Sequence, residues 1–322
     1  MGTHQQADVP GVLRDFLSLV PRFLRKRRSG LPQVQQSLNE SMDELGIDRT
    51  TLFAMMTLRN IQGSYGGQPV NLARIRAYDP YTTVDKFAEP LSTLKARGLV
   101  VEDEEGNIAL TAGAWQAVEQ LHARARAALA RLQPLPKGEL EALTNKLEGV
   151  VRAMLADPVL MPRPGSHLAG SRSLATFGPD APVMVRLEQA VYDLWMARDD
   201  AHMKAWRDAE MEGPPMAAFT LIWSGKGHTM PELKAALRGQ QNPKDVEGSV
   251  AYLLGKEYIV REGDRLELTP QGVLVRDDIE RETDRIYFTP WPPFTFDEAR
   301  QLRDKLRELV DNLPPPDNIE QR

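Results

Sequence analysis

LKARGLVVEDEEGNIAL, residues 94–110, is the stretch on which the reading of the fold turns. Leu94 to Arg97 close a helix, and Gly98 stands where a helix commonly ends in a left-handed residue. Leu99 to Val101 form a short apolar run rich in β-branched residues. Glu104 to Asn107 supply a turn, and Ile108 to Leu110 a return strand. Thr111 then offers a helix N-cap. A helix, a small hairpin and a further helix are the second half of a winged helix-turn-helix unit.

The phrase occurs twice. Leu253 to Leu268 reads LLGKEYIVREGDRLEL and is followed by Thr269. The helices beyond the two hairpins also share one apolar pattern. In the first it is Leu140, Leu143, Leu147, Val150, Val151 and Met154; in the second it is Ala299, Leu302, Leu306, Leu309, Val310 and Leu313, each 159 positions later. Leu94 and Leu253 keep that spacing, and a second wing one residue shorter brings Thr111 to Thr269 at 158. An internal repeat of this kind governs the whole reading. The expected fold is mainly α with small β-hairpin wings: two winged helix-turn-helix units forming a single-chain pseudo-dimer.

A chain of 322 residues has room for two such domains, and 42% hydrophobic with 26% charged residues is ordinary for a soluble globular protein. The absence of cysteine removes disulfides, thiol nucleophiles and thiolate metal sites. No apolar run reaches membrane-spanning length, and residues 1–10 lack a signal-peptide core, so the expected location is the cytoplasm. The net charge of −5 lends no help to a nucleic-acid binder, whose general affinity comes from cations set against phosphates.

Taken in order, Pro10 to Arg28 forms an amphipathic helix interrupted by Pro21 and ending in Arg25-Lys-Arg-Arg28. That basic run is either a phosphate clamp or a set of cations at a helix C-terminus. A helix from Leu31 to Leu45 follows. Asp48 caps the next one, a short helix covers Pro69 to Ala77, and Thr82 or Thr83 opens a helix to Arg97. Ala112 to Leu132 is a long helix. Pro158 to Pro182, rich in Pro, Gly and Ser, reads as a linker between units at 1–157 and 183–322. In the second unit Val183–Ala209 and Pro270–Phe288 are long helices. Thr229-Met-Pro-Glu232 and Thr295-Phe-Asp-Glu298 are capping boxes, and Asn242-Pro243 starts the helix to Lys256. The long helices and the last helix of each unit should form the interface between the halves. Thr83–Arg97 and Lys244–Lys256 occupy the recognition-helix position.

Leu94-Lys-Ala-Arg-Gly-Leu-Val100, with Leu110-Thr111…Gly113 and Leu268-Thr269…Gly272, resembles MarR-type winged-helix regulators. The second half, through Leu268-Thr-Pro-Gln-Gly272, Glu280-Arg-Glu-Thr-Asp284 and Pro290-Trp291, is similar to an actinobacterial helix-turn-helix family of poorly defined function. The resemblance implies a transcription regulator on duplex DNA, with two recognition helices entering major grooves about 34 Å apart. The residues expected to meet DNA are Thr82, Thr83, Lys86, Lys95, Asn242, Lys244, Ser249 and Arg265, with Arg25, Lys26, Arg27 and Arg28 on the backbone. The chain would act as a monomeric pseudo-dimer or pair again as a homodimer.

Asp85 and Glu89 in one recognition helix, Asp245 and Glu247 in the other, and Glu102-Asp-Glu-Glu105 at the first wing tip point another way, because carboxylates repel phosphates. They favour an alternative: a winged-helix scaffold that binds a protein partner or a small-molecule effector. Ser224-Gly-Lys-Gly-His-Thr229 lacks the spacing of a phosphate loop and reads as a turn. The five histidines, at 4, 122, 167, 202 and 228, show no metal-ligand spacing. No catalytic constellation stands out, so neither an enzyme nor a bound cofactor or metal is expected. The tryptophans read as core, with Trp195 and Trp206 open to a role in lining a pocket.

Overall fold

The structure, a computed structural model, describes residues 9–29, 31–174 and 176–314. Helix α1 (Val9–Ser29) runs through Pro21 without a break. It is followed by α2 (Pro32–Leu45), α3 (Arg49–Ser64), α4 (Leu72–Tyr78) and α5 (Val84–Ala96), then by hairpin β1 (Val100–Glu102) and β2 (Ile108–Leu110), then α6 (Ala112–Leu129) and α7 (Lys137–Ala156). After α8 (His167–Leu174) the same order recurs. Helix α9 (Val183–Asp208) is followed by α10 (Gly213–Trp223), α11 (Met230–Leu237) and α12 (Pro243–Gly255), then hairpin β3 (Ile259–Glu262) and β4 (Arg265–Leu268), then α13 (Pro270–Phe288) and α14 (Phe296–Asn312).

The caps set these boundaries. Asp48 Oδ1 accepts the Thr51 N–H at 2.7 Å, and Asn71 Oδ1 that of Arg74 at 3.0 Å. Thr229 with Glu232 and Thr295 with Glu298 close both capping boxes, each hydroxyl and carboxylate answering the other residue's backbone N–H.

The two hairpin regions match at the ends that join the flanking helices. Antiparallel pairing joins Val100 to Leu110 and Ile259 to Leu268. The Thr111 N–H donates to the Leu99 carbonyl at 3.0 Å and the Thr269 N–H to the Tyr258 carbonyl at 3.1 Å, 158 or 159 positions on. Val70 before α4 and Thr229 before α11 each add a bridge to the return strand. The second residue past the end of each recognition-position helix is left-handed, Gly98 at φ 65° and Glu257 at φ 58°. The tips differ. The first uses a longer turn with Gly106 at φ 78°, and the second closes through Gly263 (φ 60°) and Asp264.

Helix α1 packs along α14, and α9 packs along α7, so the first helix of each half lies on the last helix of the other. All twelve apolar positions that define the repeat in α7 and α14 or at its end are buried. Helix α9 continues past this bundle to pack on α13, as α2 packs on α6. One large core joins the four-helix bundle to the second lobe, α10–α13 with β3 and β4. The first lobe, α3–α6 with β1 and β2, has a separate core around Leu52, Met55, Ile61, Ile75, Leu94 and Ile108.

The segment 158–182 is less of a linker than its composition suggests. Helix α8 lies within it, with Leu168, Gly170 and Ser171 buried against α3 and α9. Small residues make this contact rather than an apolar stripe. A Cβ on Gly170 would sit 2.6 Å from the Tyr78 hydroxyl. Asp200 on α9 caps α8 by accepting the His167 and Leu168 N–H groups at 2.8 and 2.9 Å.

Candidate nucleic-acid interface

The surface that a helix-turn-helix fold would present to DNA is formed by α4, α5 and the first hairpin in one lobe, and by α11, α12 and the second hairpin in the other. Lys86 on α5 is half-buried and Lys244 in the first turn of α12 is exposed; neither makes an ion pair among the described residues. Lys95 near the end of α5 pairs with Glu102 on β1. Arg265 on β4 pairs with Glu267 at 2.9 Å. Asn242 caps α12, its N–H donating to Asp245 Oδ2 at 3.1 Å.

Other expected contacts are spent inside the protein. Ser249 is 3% exposed and donates to Gln241 Oε1 at 3.0 Å, because its side of α12 faces the core. Thr82 is buried and its hydroxyl donates to Asp79 Oδ2 at 2.7 Å. In the basic run, Lys26 donates to the Val310 carbonyl at 2.8 Å, at the C-terminal end of α14. Arg27 is joined to Glu188 on α9 at 2.6 Å, with the side chains 13% and 8% exposed. Both cations tie α1 to the bundle. Arg25 is exposed, and the Arg28 side chain lies outside the described residues.

The main departure concerns the two recognition-position helices. Their N-termini are not spread by a turn of DNA; they touch. The Thr83 N–H donates to the Gln240 carbonyl at 2.8 Å, and its hydroxyl donates to Asp245 Oδ2 at 2.8 Å. Asp245 thus serves its own helix and the opposite lobe at once. Beside this bond Trp206 Nε1 donates to the Tyr81 hydroxyl oxygen at 3.0 Å, and Arg207 donates to the Ala77 carbonyl at 3.0 Å. Burial drives the Tyr81 phenol up to about 12, although the Trp206 bond acts in the opposite direction. Gly213 makes the close approach feasible, since a Cβ there would lie 2.2 Å from the Pro80 carbonyl oxygen. None of Tyr81, Trp206, Arg207, Gln240 and Asp245 carries a local sequence signal for this junction. Gly213 reads only as a helix breaker.

The wings add little positive charge. At the first tip the Asp103 carboxylate accepts the Glu105 and Asn107 N–H groups at 3.0 and 2.8 Å. Asn107's side chain, then these backbone bonds, hold it below the usual carboxylate range, so the tip stays anionic.

Among the described residues no helix is long and apolar enough to cross a membrane. No curated protein and no solved structure matches the chain significantly. A helix-turn-helix family model matches residues 169–315, a span that begins inside α8 rather than at α9 and so takes in part of the supposed linker. The chain from within α8 through α14 is therefore similar in sequence to a helix-turn-helix family.

Proposed function

We propose that the protein is a DNA-binding transcription regulator whose two winged helix-turn-helix units, residues 1–157 and 183–322, form a MarR-like pseudo-dimer within one chain. The observation that carries this reading is the exchange of end helices, α1 on α14 and α9 on α7, beneath two lobes with equivalent hairpins. The helix-turn-helix match over residues 169–315 supports duplex DNA as the partner. Lys86, Lys244, Lys95 and Arg265 remain on the surface for that contact, the last two after exchanging a carboxylate for a phosphate. The closed junction at Thr83 and Asp245 keeps the N-terminal turns of α5 and α12 from two separate grooves, so DNA reading requires the lobes to part.

That same junction, with the anionic wing tip, favours the second reading: a scaffold that binds a protein or small effector and no longer reads DNA. Salt dependence separates the two. With two to four cations on phosphates, log K should fall with a slope of about −2 to −3.5 against log salt. Anisotropy titrations of labelled genomic fragments at 50 and 200 mM salt measure this. Absence of binding at 50 mM, for the parent and for a chain with its junction broken, removes the DNA reading.

A further inference from the structure

A cleft of about 410 Å³ opens between α7, the connector after α8 and α9. It lies in the bundle, away from both hairpins, and plays no part in the DNA reading. Its volume falls in the range of small-molecule sites. Three arginines line it, Arg152 from α7, Arg172 from α8 and Arg186 from α9, against two carboxylates, Glu148 and Asp193. Both carboxylates are already engaged. Arg186 holds Glu148 in a two-pronged pair at 2.9 and 2.6 Å. Asp193, 1% exposed, accepts from Ser171 at 2.5 Å, Gln189 at 2.7 Å and Arg172 at 3.0 Å. Arg152 has no carboxylate within ion-pair distance among the described residues. The cleft therefore carries one uncompensated positive charge on a chain whose net charge is −5.

The rest of the lining is apolar. Val151 and Leu155 from α7 and Phe177 from the connector face the same space. Phe177 also lines a smaller cavity of about 160 Å³ on the first-lobe side, and Arg126 of α6 lies 5.6 Å over its ring. The ring is thus a shared wall between the cleft and the first lobe.

We propose that this cleft binds a small organic anion. Its carboxylate or phosphate would be met by Arg152, beside the paired Arg172 and Arg186, and its apolar body would be held against Val151, Leu155 and Phe177. Guanidinium groups fit planar oxyanions, and an apolar wall supplies affinity that a free inorganic ion lacks. An occupant would touch α7, the connector and α9, that is, parts of both halves.

Calorimetry with 1-naphthoate, decanoate and 1-naphthyl phosphate as probes tests the site. At least one probe is expected to bind, and its neutral counterpart (amide or alcohol) to bind at least about tenfold more weakly, the loss of one charge-assisted contact. Arg152→Met should weaken binding by a similar factor while leaving the melting temperature unchanged, since Arg152 supports no ion pair. Phe177→Ala should weaken the neutral and charged probes alike. Arg281→Met, in the separate cleft beside Trp223, should change nothing. Failure of all three probes overturns the proposal. So does equal binding of the neutral counterparts, or a loss on Arg281→Met in place of Arg152→Met. The readout is independent of DNA, so its failure leaves the DNA reading standing, and the reverse holds as well.

Discussion

Thr83→Ala combined with Tyr81→Phe should open the molecule. Thr83 is the N-cap residue of α5, yet its side chain makes no cap bond, so its hydroxyl serves only the other lobe. Losing a bond to a carboxylate costs about 1.5–3 kcal/mol. Both partners are partly exposed and Asp245 keeps its bond to the Asn242 N–H, so the lower end applies. Tyr81→Phe leaves the Trp206 N–H without an acceptor at a side chain only 3% exposed, a further cost of about 1–3 kcal/mol. Together they shift the closed-to-open ratio by about 3 kcal/mol, roughly a hundredfold. The first lobe has its own core, so opening should not unfold it. The natural chain has no cysteine, so Val101→Cys and Val260→Cys, at exposed and equivalent wing positions, carry the only spin labels. Pulsed dipolar spectroscopy should give one narrow wing-to-wing distance in the doubly labelled parent chain, and a longer, broader distribution once the junction is broken. Coincident distributions would refute the reasoning.

Three further substitutions probe the repeat and the bundle. A Cβ at Gly272 would lie 1.9 Å from the Tyr258 carbonyl oxygen, while Gly113 has open space, so Gly272→Ala should cost about 1–3 kcal/mol in urea unfolding and Gly113→Ala should be neutral or stabilising. Arg27→Met removes the guanidinium paired with the buried Glu188 carboxylate; it should lower stability by up to about 3 kcal/mol in urea unfolding and leave the salt slope of any DNA binding unchanged. Burial lowers the His202 imidazole from 6.5 to about 4, with Glu280 acting in the opposite direction. The unfolded chain then takes up this proton first on acidification, so His202 contributes to stability loss as pH falls from 6.5 towards 4. From those two values the loss between pH 7.5 and pH 5 is about 2 kcal/mol. It should vanish in His202→Gln, compared at both pH values because Asp199, raised by burial to about 6, acts with the opposite sign.

The local signals in the chain were strong. The stretch at 94–110 and its echo located both hairpins, and the caps at Asp48, Thr229 and Thr295 located helix starts. The period of α7 and α14 marked their buried faces, because each of these rests on neighbours a few residues away. Composition reads the connector as a linker without showing α8 in it, because that helix packs through small residues, Gly170 and Ser171, which composition counts as loop formers. The junction could not be read at all. Thr83 and Asp245 are 162 positions apart, and a capping carboxylate looks the same whether or not a second donor reaches it. For the same reason Ser249 looks in sequence like any polar residue on a recognition helix although its side of the helix packs inward, and nothing local to Lys26 and Arg27 shows that α14 and α9 hold their partners.

The most direct measurement is the binding of duplex genomic fragments by the parent chain and by the Thr83→Ala, Tyr81→Phe chain, at 50 and 200 mM salt. The expected result is binding at 50 mM that weakens by more than about tenfold at 200 mM, and that is at least about tenfold tighter once the junction is broken. A chain with parted wings that still ignores DNA at 50 mM would contradict the account and leave the scaffold reading in its place.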